Sequence, residues 1–139
     1  MRIAVAGGTG LVGARVVAEL TRQGDDPVVL ARSHGVDLTD GTGLGSALDG
    51  VDAVVDVANV TTTSRRRSVA FFTAATTQLL AAAARAGAGH VVTLSIVGVG
   101  YHLGKRRQEE LLAAGPVPWT DVQGRQTYAE HLAAVAHRR

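Results

Sequence analysis

The chain has 139 residues, of which 46% are apolar and 19% charged, with a formal net charge of +2. These values predict a single domain over residues 1–139 with a real core, and they exclude general disorder. Cysteine is absent, which excludes disulfides and thiolate metal sites. No basic block indicates a nucleic-acid partner, and the five histidines have no metal-ligand spacing, so we predict no metal site.

Neither a signal peptide nor a membrane span is expected from the sequence. Glycines interrupt the first apolar run at once, and no segment reaches about 18 unbroken apolar residues. We therefore expect a cytoplasmic protein without a membrane partner.

Strands and helices are predicted to alternate along the chain. In order they are strand 2–6, helix 11–23, strands 28–31 and 35–37, helix 44–48, strand 53–58, helix 68–86, strand 90–97, helix 103–114, strand 117–122 and helix 128–137. The strands are short and apolar and have no polar face, which is typical of a buried parallel sheet. The pattern predicts a doubly wound α/β fold: a mostly parallel, Rossmann-type sheet of five or six strands with helices on both faces.

The segment AGGTGLVG at residues 6–13 joins the first strand to the first helix. It contains the pattern Gly8-x-Gly10-x-x-Gly13, preceded by Gly7. In this context glycines permit a tight turn and a close approach of the backbone to a pyrophosphate, which the helix N-terminus attracts. A merely tight strand-to-helix turn is the alternative.

Four motifs together resemble the short-chain dehydrogenase/reductase superfamily: GGTGLVG, VVLARS, Ala58-Asn59 and Tyr101-His102-Leu103-Gly104-Lys105. The GGTGxxG form is similar to the atypical branch of NmrA-like and isoflavone-reductase-like NAD(P)-binding proteins, and the resemblance covers about residues 1–120. The cofactor-binding residues it implies are Gly7, Gly8, Thr9, Gly10, Leu11, Val12, Gly13, Arg32, Ser33, Asp37, Leu38, Ala58, Asn59 and Lys105.

The end of the second strand indicates which cofactor is bound. Arg32-Ser33 stands where an NAD enzyme commonly has an acidic residue, and a guanidinium accommodates the extra phosphate of NADP. We therefore predict NADP(H), with an ordinary exposed arginine as the alternative. By the resemblance, Asp37 and Leu38 lie beside the adenine, although Asp37 also fits a plain turn.

The resemblance also implies a catalytic centre, with Tyr101 as acid, Lys105 as its support and Ser95 as the group that polarises a carbonyl. The loop between Ser95 and Tyr101 is shorter than is usual in the family. Tyr101 as a capping or packing aromatic with a solvated Lys105 is the alternative.

These residues lead to an NADPH-dependent reductase of a small carbonyl or enone as the first hypothesis. The alternatives are a non-catalytic NADP(H)-binding module or a subunit completed by a partner, and a redox-independent isomerase, cyclase or dehydratase. Relative to the family, we expect the usual C-terminal substrate region to be missing.

Three further features of the sequence lead to predictions. The alanine-rich helix 68–86 predicts a homodimer, because a helix that is apolar nearly all round is buried on more than one side. Arg65-Arg66-Arg67 precedes that helix, where cations oppose the helix dipole, so the triplet either contacts an anion or is simply exposed. Trp119 is expected in the core or at its edge.

Overall fold

The computed structural model describes residues 1–59, 64–94 and 103–122. Its elements are β1 (Arg2–Ala6), α1 (Leu11–Arg22), β2 (Asp26–Leu30), a 3-10 helix (Arg32–His34), α2 (Leu44–Ala47), β3 (Ala53–Asp56), α3 (Arg65–Ala86), β4 (His90–Leu94), α4 (Leu103–Ala114) and β5 (Trp119–Val122). Within this part of the chain, five parallel strands form one sheet in the order β2-β1-β3-β4-β5. The predicted α/β fold is confirmed.

Helices cover both faces of the sheet and bury a separate apolar cluster on each. On one face α1 contributes Val16 and Leu20, which pack on Val5 and Val55. On the other face α2, α3 and α4 cover the sheet, and their larger cluster includes Leu44, Leu79, Leu80, Leu112, Val54 and Val91. The connection from β1 to β2 passes over one face of the sheet through α1, and the connection from β3 to β4 passes over the other face through α3. The two connections run toward opposite edges of the sheet, so a crevice opens between the carboxyl ends of β1 and β3.

The prediction of a strand at 35–37 is wrong, because these residues form a turn. Gly35 has a φ of +75°, and the amide of Val36 turns back to the Ala31 carbonyl at 3.1 Å. The amide of Asp37 donates to the Thr42 carbonyl at 2.9 Å, within the same compact turn. Val36 is buried in the core cluster, so its apolar character fills the core without joining the sheet.

Because that strand is missing, β2 is an edge of the described sheet. It begins at Asp26, two residues before the predicted start, and therefore includes Pro27. A proline is tolerated in an edge strand when its missing N–H faces away from the neighbouring strand. The amide of Asp26 donates inward to the Met1 carbonyl at 2.9 Å, so Pro27, the next residue, presents its backbone outward.

The long helix α3 starts three residues earlier than predicted. The Ser64 hydroxyl accepts a hydrogen bond from the Arg67 amide at 3.3 Å, a cap that satisfies one of the open donors of the first turn. Length and mean hydropathy alone would allow α3 to cross a membrane, and 39% of the apolar window is buried inside the protein. Its buried apolar side chains, including Phe72 and Leu79, belong to the core, which is typical of a central helix.

Candidate functional site

The glycine-rich loop leaves β1 at the carboxyl edge of the sheet and enters α1. Its first residue, Gly7, has a φ of +79°, in the left-handed region that favours glycine. The Gly7 amide donates to the Leu30 carbonyl at 3.1 Å, and the Gly7 carbonyl accepts from the Gly10 amide at 3.0 Å. The loop is therefore a closed turn held against the end of β2.

Side chains are excluded from this loop by its neighbours. A Cβ on Gly7 would lie 2.8 Å from the Ala58 Cα, and one on Gly13 would lie 1.9 Å from the Gly7 carbonyl oxygen. A Cβ on Gly8 would lie 2.9 Å from the Val29 Cγ1. The glycines thus serve the tight turn and the close packing of helix on strand that the motif requires.

The N-terminus of α1 is open toward the carboxyl edge of the sheet. Its N-cap residue is Gly10, which makes no side-chain cap, and no acidic residue lies in the first turn. Leu11 is 78% exposed and Val12 is 37% exposed, so they leave the helix end accessible. Amide groups and the helix dipole at such an end attract an anion such as a pyrophosphate.

Two cavities flank the loop, one of about 380 Å³ and one of about 540 Å³. Both are lined by Gly7, Thr9, Ala58 and Asn59. The smaller cavity extends toward the end of β2 and is also lined by Leu30, Ala31, Arg32, Ser33, Val36, Asp37, Leu38, Thr39 and Phe71. The larger cavity extends along the start of α1 and is also lined by Gly10, Leu11, Val12, Gly13, Val57 and Leu94. An elongated ligand could occupy both cavities while crossing the glycine loop.

The smaller cavity carries the side chains predicted to select the cofactor. Arg32 and Ser33 lie in the 3-10 helix that follows β2, and both are exposed. The Ser33 Oγ lies 3.1 Å from the His34 Nδ1. The structure brings Arg32 and Ser33 to the same cavity as Asp37 and Leu38; their part in cofactor binding stays a prediction.

Asp37 forms a turn on its own wall of the cavity. Its Oδ1 accepts hydrogen bonds from the Thr39 amide at 2.9 Å and the Thr39 hydroxyl at 2.6 Å. These bonds, with the positive charge of Arg32 as a lesser cause, lower the pKa of Asp37 below its ordinary value. Asp37 therefore forms the plain turn that is the alternative interpretation, and it also lines the smaller cavity.

A buried polar group holds the backbone of Ala58, a residue that lines both cavities, and the sequence did not identify this group as functional. Asp56, at the end of β3, is 5% exposed, and Gln108, in α4, is 1% exposed. The Asp56 Oδ2 accepts from the Gln108 Nε2 at 2.8 Å, and Oδ1 accepts from the Ala58 amide at 3.1 Å. Thr93, the partner of Asp56 in the register of β4, donates to the Asp56 carbonyl at 3.5 Å. The signal in the sequence is an aspartate inside the apolar segment AVVDVA.

The predicted catalytic residues fall largely outside the described part of the chain. Ser95 and Tyr101 lie beyond it, and Lys105 is described only as a backbone position in α4, three residues before Gln108. That Ser95, Tyr101 and Lys105 form one catalytic centre therefore stays a prediction.

Two other predicted features are described in the structure. The side chains of Arg65, Arg66 and Arg67 are exposed in the first turn of α3. Trp119 packs against the larger apolar cluster, consistent with the predicted place in or beside the core.

Comparisons with known proteins identify the family and the fold of the chain. The family model for the NAD-dependent epimerase/dehydratase family matches residues 3–138. No curated protein matches the chain.

Solved structures share the fold. The enzyme WbmG of Bordetella bronchiseptica in complex with NAD is 18% identical with a TM-score of 0.75, covering 88% of this chain and 52% of that one. UDP-N-acetylglucosamine 4-epimerase from Bacillus cereus is 22% identical with a TM-score of 0.75, covering 88% and 53%. A short-chain dehydrogenase/reductase superfamily protein from Agrobacterium tumefaciens with bound NAD is 25% identical with a TM-score of 0.72, covering 88% and 48%. The chain spans about half the length of these three proteins.

Proposed function

Because the chain belongs to the NAD-dependent epimerase/dehydratase family, we propose that it binds a nicotinamide dinucleotide across the glycine loop. The observation that carries this proposal is the loop itself, where Gly7 lies against Ala58 and Gly13 lies against the Gly7 carbonyl. That geometry brings bare backbone and an open helix end to the surface between two cavities. Two structures similar to this chain are described as holding NAD, which supports the same class of ligand here.

The orientation of the dinucleotide follows from the side chains at each end of the site. In this type of fold the residue after the second strand contacts the adenosine ribose. Arg32 is the second residue after β2 and lines the smaller cavity, so we assign the adenosine half to this cavity. The larger cavity, on the other side of the loop, then takes the nicotinamide half.

The proposed cofactor is NADP(H) in preference to NAD(H). The exposed guanidinium of Arg32 and the hydroxyl of Ser33 both border the smaller cavity. A guanidinium offers paired donors to a phosphate, whereas the ribose hydroxyls of NAD would favour a carboxylate there. Asp37 lies further along the turn, and its Oδ1 already accepts two hydrogen bonds from Thr39.

The proposed reaction is reduction of a small carbonyl or enone, for which the bound cofactor supplies a hydride. Tyr101 would give the proton to the substrate oxygen, Lys105 would keep that tyrosine acidic, and Ser95 would polarise the carbonyl. The resemblance of these residues to the pattern of the short-chain dehydrogenases supports the assignment, and the GGTGLVG form of the loop supports the NmrA-like branch.

A redox-neutral reaction is the second candidate, since the matched family includes epimerases and dehydratases and one similar structure is a 4-epimerase. A binding module completed by a partner is the third. The three differ in cofactor turnover, because only a reductase consumes NADPH steadily when a substrate is supplied. Lost turnover with retained NADPH binding in Tyr101→Phe would support the reductase.

The test of the proposed function is calorimetric titration of the purified chain with NADPH and with NADH. We expect saturable binding of both, with the tighter binding for NADPH. Tighter binding of NADH would contradict the role proposed for Arg32 but not the role proposed for the glycine loop. Absence of binding by both dinucleotides would overturn the proposed function as a whole.

Homodimerisation through α3 stays a prediction. The outward side of this helix carries exposed small residues, Ala70, Thr77, Ala81 and Ala84, which would let a second helix approach closely. The molar mass in solution, measured by light scattering, tests it directly.

A further inference from the structure

A single buried carboxylate joins two elements behind the proposed nicotinamide cavity. The Asp56 Oδ1 holds the Ala58 amide at 3.1 Å, and the Asp56 Oδ2 holds the Gln108 Nε2 at 2.8 Å. Ala58 belongs to the loop after β3, whereas Gln108 belongs to α4. The two residues that share this carboxylate are thus far apart in the sequence and fixed relative to one another by it.

Burying a carboxylate costs free energy, so we expect the arrangement to serve a purpose other than stability. A carboxylate removed from water loses a large solvation free energy, and an apolar pair of similar volume often stabilises a core at least as well. Hydrogen bonds, unlike apolar contacts, fix direction as well as distance. The pair is therefore suited to hold the loop and the helix in one defined relative position.

The loop that Asp56 holds is a wall of the proposed cofactor site. Ala58 approaches the glycine loop so closely that a Cβ on Gly7 would lie 2.8 Å from its Cα. Ala58 and its neighbour Asn59 line the larger cavity together with Val57. A shift of the Ala58 backbone would therefore move this wall against the glycine loop.

We propose that Asp56 and Gln108 are positioning residues for the nicotinamide half of the cofactor, an inference that rests on the proposed function. They act through Ala58 and Asn59 and through α4, which also carries Lys105 three residues before Gln108. The adenosine half lies mainly against the turn after β2, which is held by its own contacts. Ala58 and Asn59 border that cavity as well, so the adenosine half depends on the pair less than the nicotinamide half does.

The test compares Gln108→Met with Leu112→Ala. Methionine keeps the length of glutamine but has no N–H donor, so it removes the bond to Asp56 with little change in volume. Leu112 is buried one helical turn further along α4 and does not contact Asp56 in any hydrogen bond of the described residues. The control therefore disturbs the packing of α4 without removing the bond.

Two ligands report on the two halves of the site. The probes are the dinucleotide that the wild type binds more tightly, NADPH or NADH, and the matching adenosine fragment, 2′,5′-ADP or ADP. We expect Gln108→Met to weaken dinucleotide binding about tenfold, the factor that corresponds to one hydrogen bond of typical net strength. Fragment binding should weaken clearly less, because the fragment lies mainly against the turn after β2. Leu112→Ala lowers the melting temperature but leaves the ratio of the two affinities unchanged. An equal loss for both ligands, or no loss, in Gln108→Met overturns the proposal.

A conservative variant separates geometry from charge. In Asp56→Asn, the side-chain oxygen still accepts from Ala58, and Gln108 can turn its amide to present an acceptor to the new NH₂. We expect affinities close to those of the wild type. Dinucleotide binding as weak as in Gln108→Met would contradict a positioning role based on these two bonds.

Amide exchange in the free protein gives a readout that needs no cofactor. Relative to the amides of β1, the Ala58 amide should exchange about tenfold faster in Gln108→Met and unchanged in Leu112→Ala. Unchanged Ala58 exchange in Gln108→Met would overturn the proposal even if the chain bound no dinucleotide. Absence of dinucleotide binding by the wild type would contradict the proposed function. Faster Ala58 exchange in Gln108→Met would then still show that the pair holds the Ala58 loop.

Discussion

The two cavities beside the glycine loop are built in different ways. The smaller one is shaped mainly by a short turn whose contacts are local, such as the bonds that Thr39 donates to Asp37, two residues away. The larger one is shaped by bare backbone and by a wall held through Asp56 and Gln108, which are 52 positions apart; the Ala58 and Asn59 part of that wall also borders the smaller cavity. The local wall offers charged groups to a ligand, whereas the long-range wall offers a fixed shape. The first is suited to selecting a ligand and the second to orienting it.

The largest effect is expected from Gly13→Ala, because the loop belongs to both cavities. The new Cβ would lie 1.9 Å from the Gly7 carbonyl oxygen and 2.7 Å from its carbon, and backbone atoms cannot yield as a flexible side chain does. Overpacking of this kind costs about 1–3 kcal/mol of unfolding free energy. We expect a lower urea midpoint and loss of binding for both the dinucleotide and the adenosine fragment.

Gly45→Ala is the matched control. Gly45 lies in α2, and its φ is not positive. Among the described residues, no atom beyond its chain neighbours and its own helix backbone lies within 4 Å of the place that an alanine Cβ would take. Alanine in a helix is favoured over glycine by about 0.5–1 kcal/mol, so stability should rise slightly and binding should stay the same. A Gly13→Ala protein that binds as the wild type does would refute the role given to the loop.

A smaller, selective effect is expected from Arg32→Ala. If the guanidinium recognises the phosphate that distinguishes NADP, its removal should weaken NADPH binding about tenfold. NADH binding should change little, since NADH lacks that phosphate. Calorimetry with both dinucleotides measures the ratio, and Arg107→Ala, an exposed arginine that pairs with Glu110 in α4, serves as the control. Equal weakening for the two dinucleotides would show that Arg32 does not discriminate between them.

The smallest effect is expected from Thr39→Val, which alters only the turn of the smaller cavity. Loss of the hydroxyl donor should raise the pKa of Asp37 part of the way to its ordinary value of 3.8, since the amide donor remains. A lowered carboxylate pKa stabilises the fold above the unfolded pKa, and this contribution is lost as pH falls through the folded value. The stability difference between the two proteins should therefore be complete above about pH 4 and shrink below it. Carboxyl NMR titration of Asp37 measures the shift, and an unchanged pKa would contradict its dependence on the Thr39 hydroxyl.

The predictable parts of the fold are those set by neighbours in the sequence. The helix predicted at 103–114 has those bounds in the structure, and the first helix ends one residue earlier than expected. The strand at 35–37 fails because a buried Val36 resembles a strand residue, while the positive φ of Gly35 and the bonds of the turn determine the actual path. The cap at Ser64 is a signal in the sequence that would place the start of α3 correctly.

The same distinction applies to the candidate site. The glycine loop is predictable because its steric demands lie within one strand, one turn and one helix. The role of Ala58 comes only from a family resemblance, and the Asp56–Gln108 bond is not predicted at all. Nothing in the sequence near either residue specifies a partner on another element, since the sheet register and the packing of α4 bring them together.

The proline in β2 has a consequence for how folded copies of this chain meet. An edge strand is a template for a further strand, and sheets that grow in this way lead to swapped domains and fibrils. At Pro27 the outward-facing backbone has no donor for an incoming strand, and the charged Asp26 lies beside it, exposed. This edge is therefore protected against aggregation by strand addition through its own residues, with no need of a segment that covers β2.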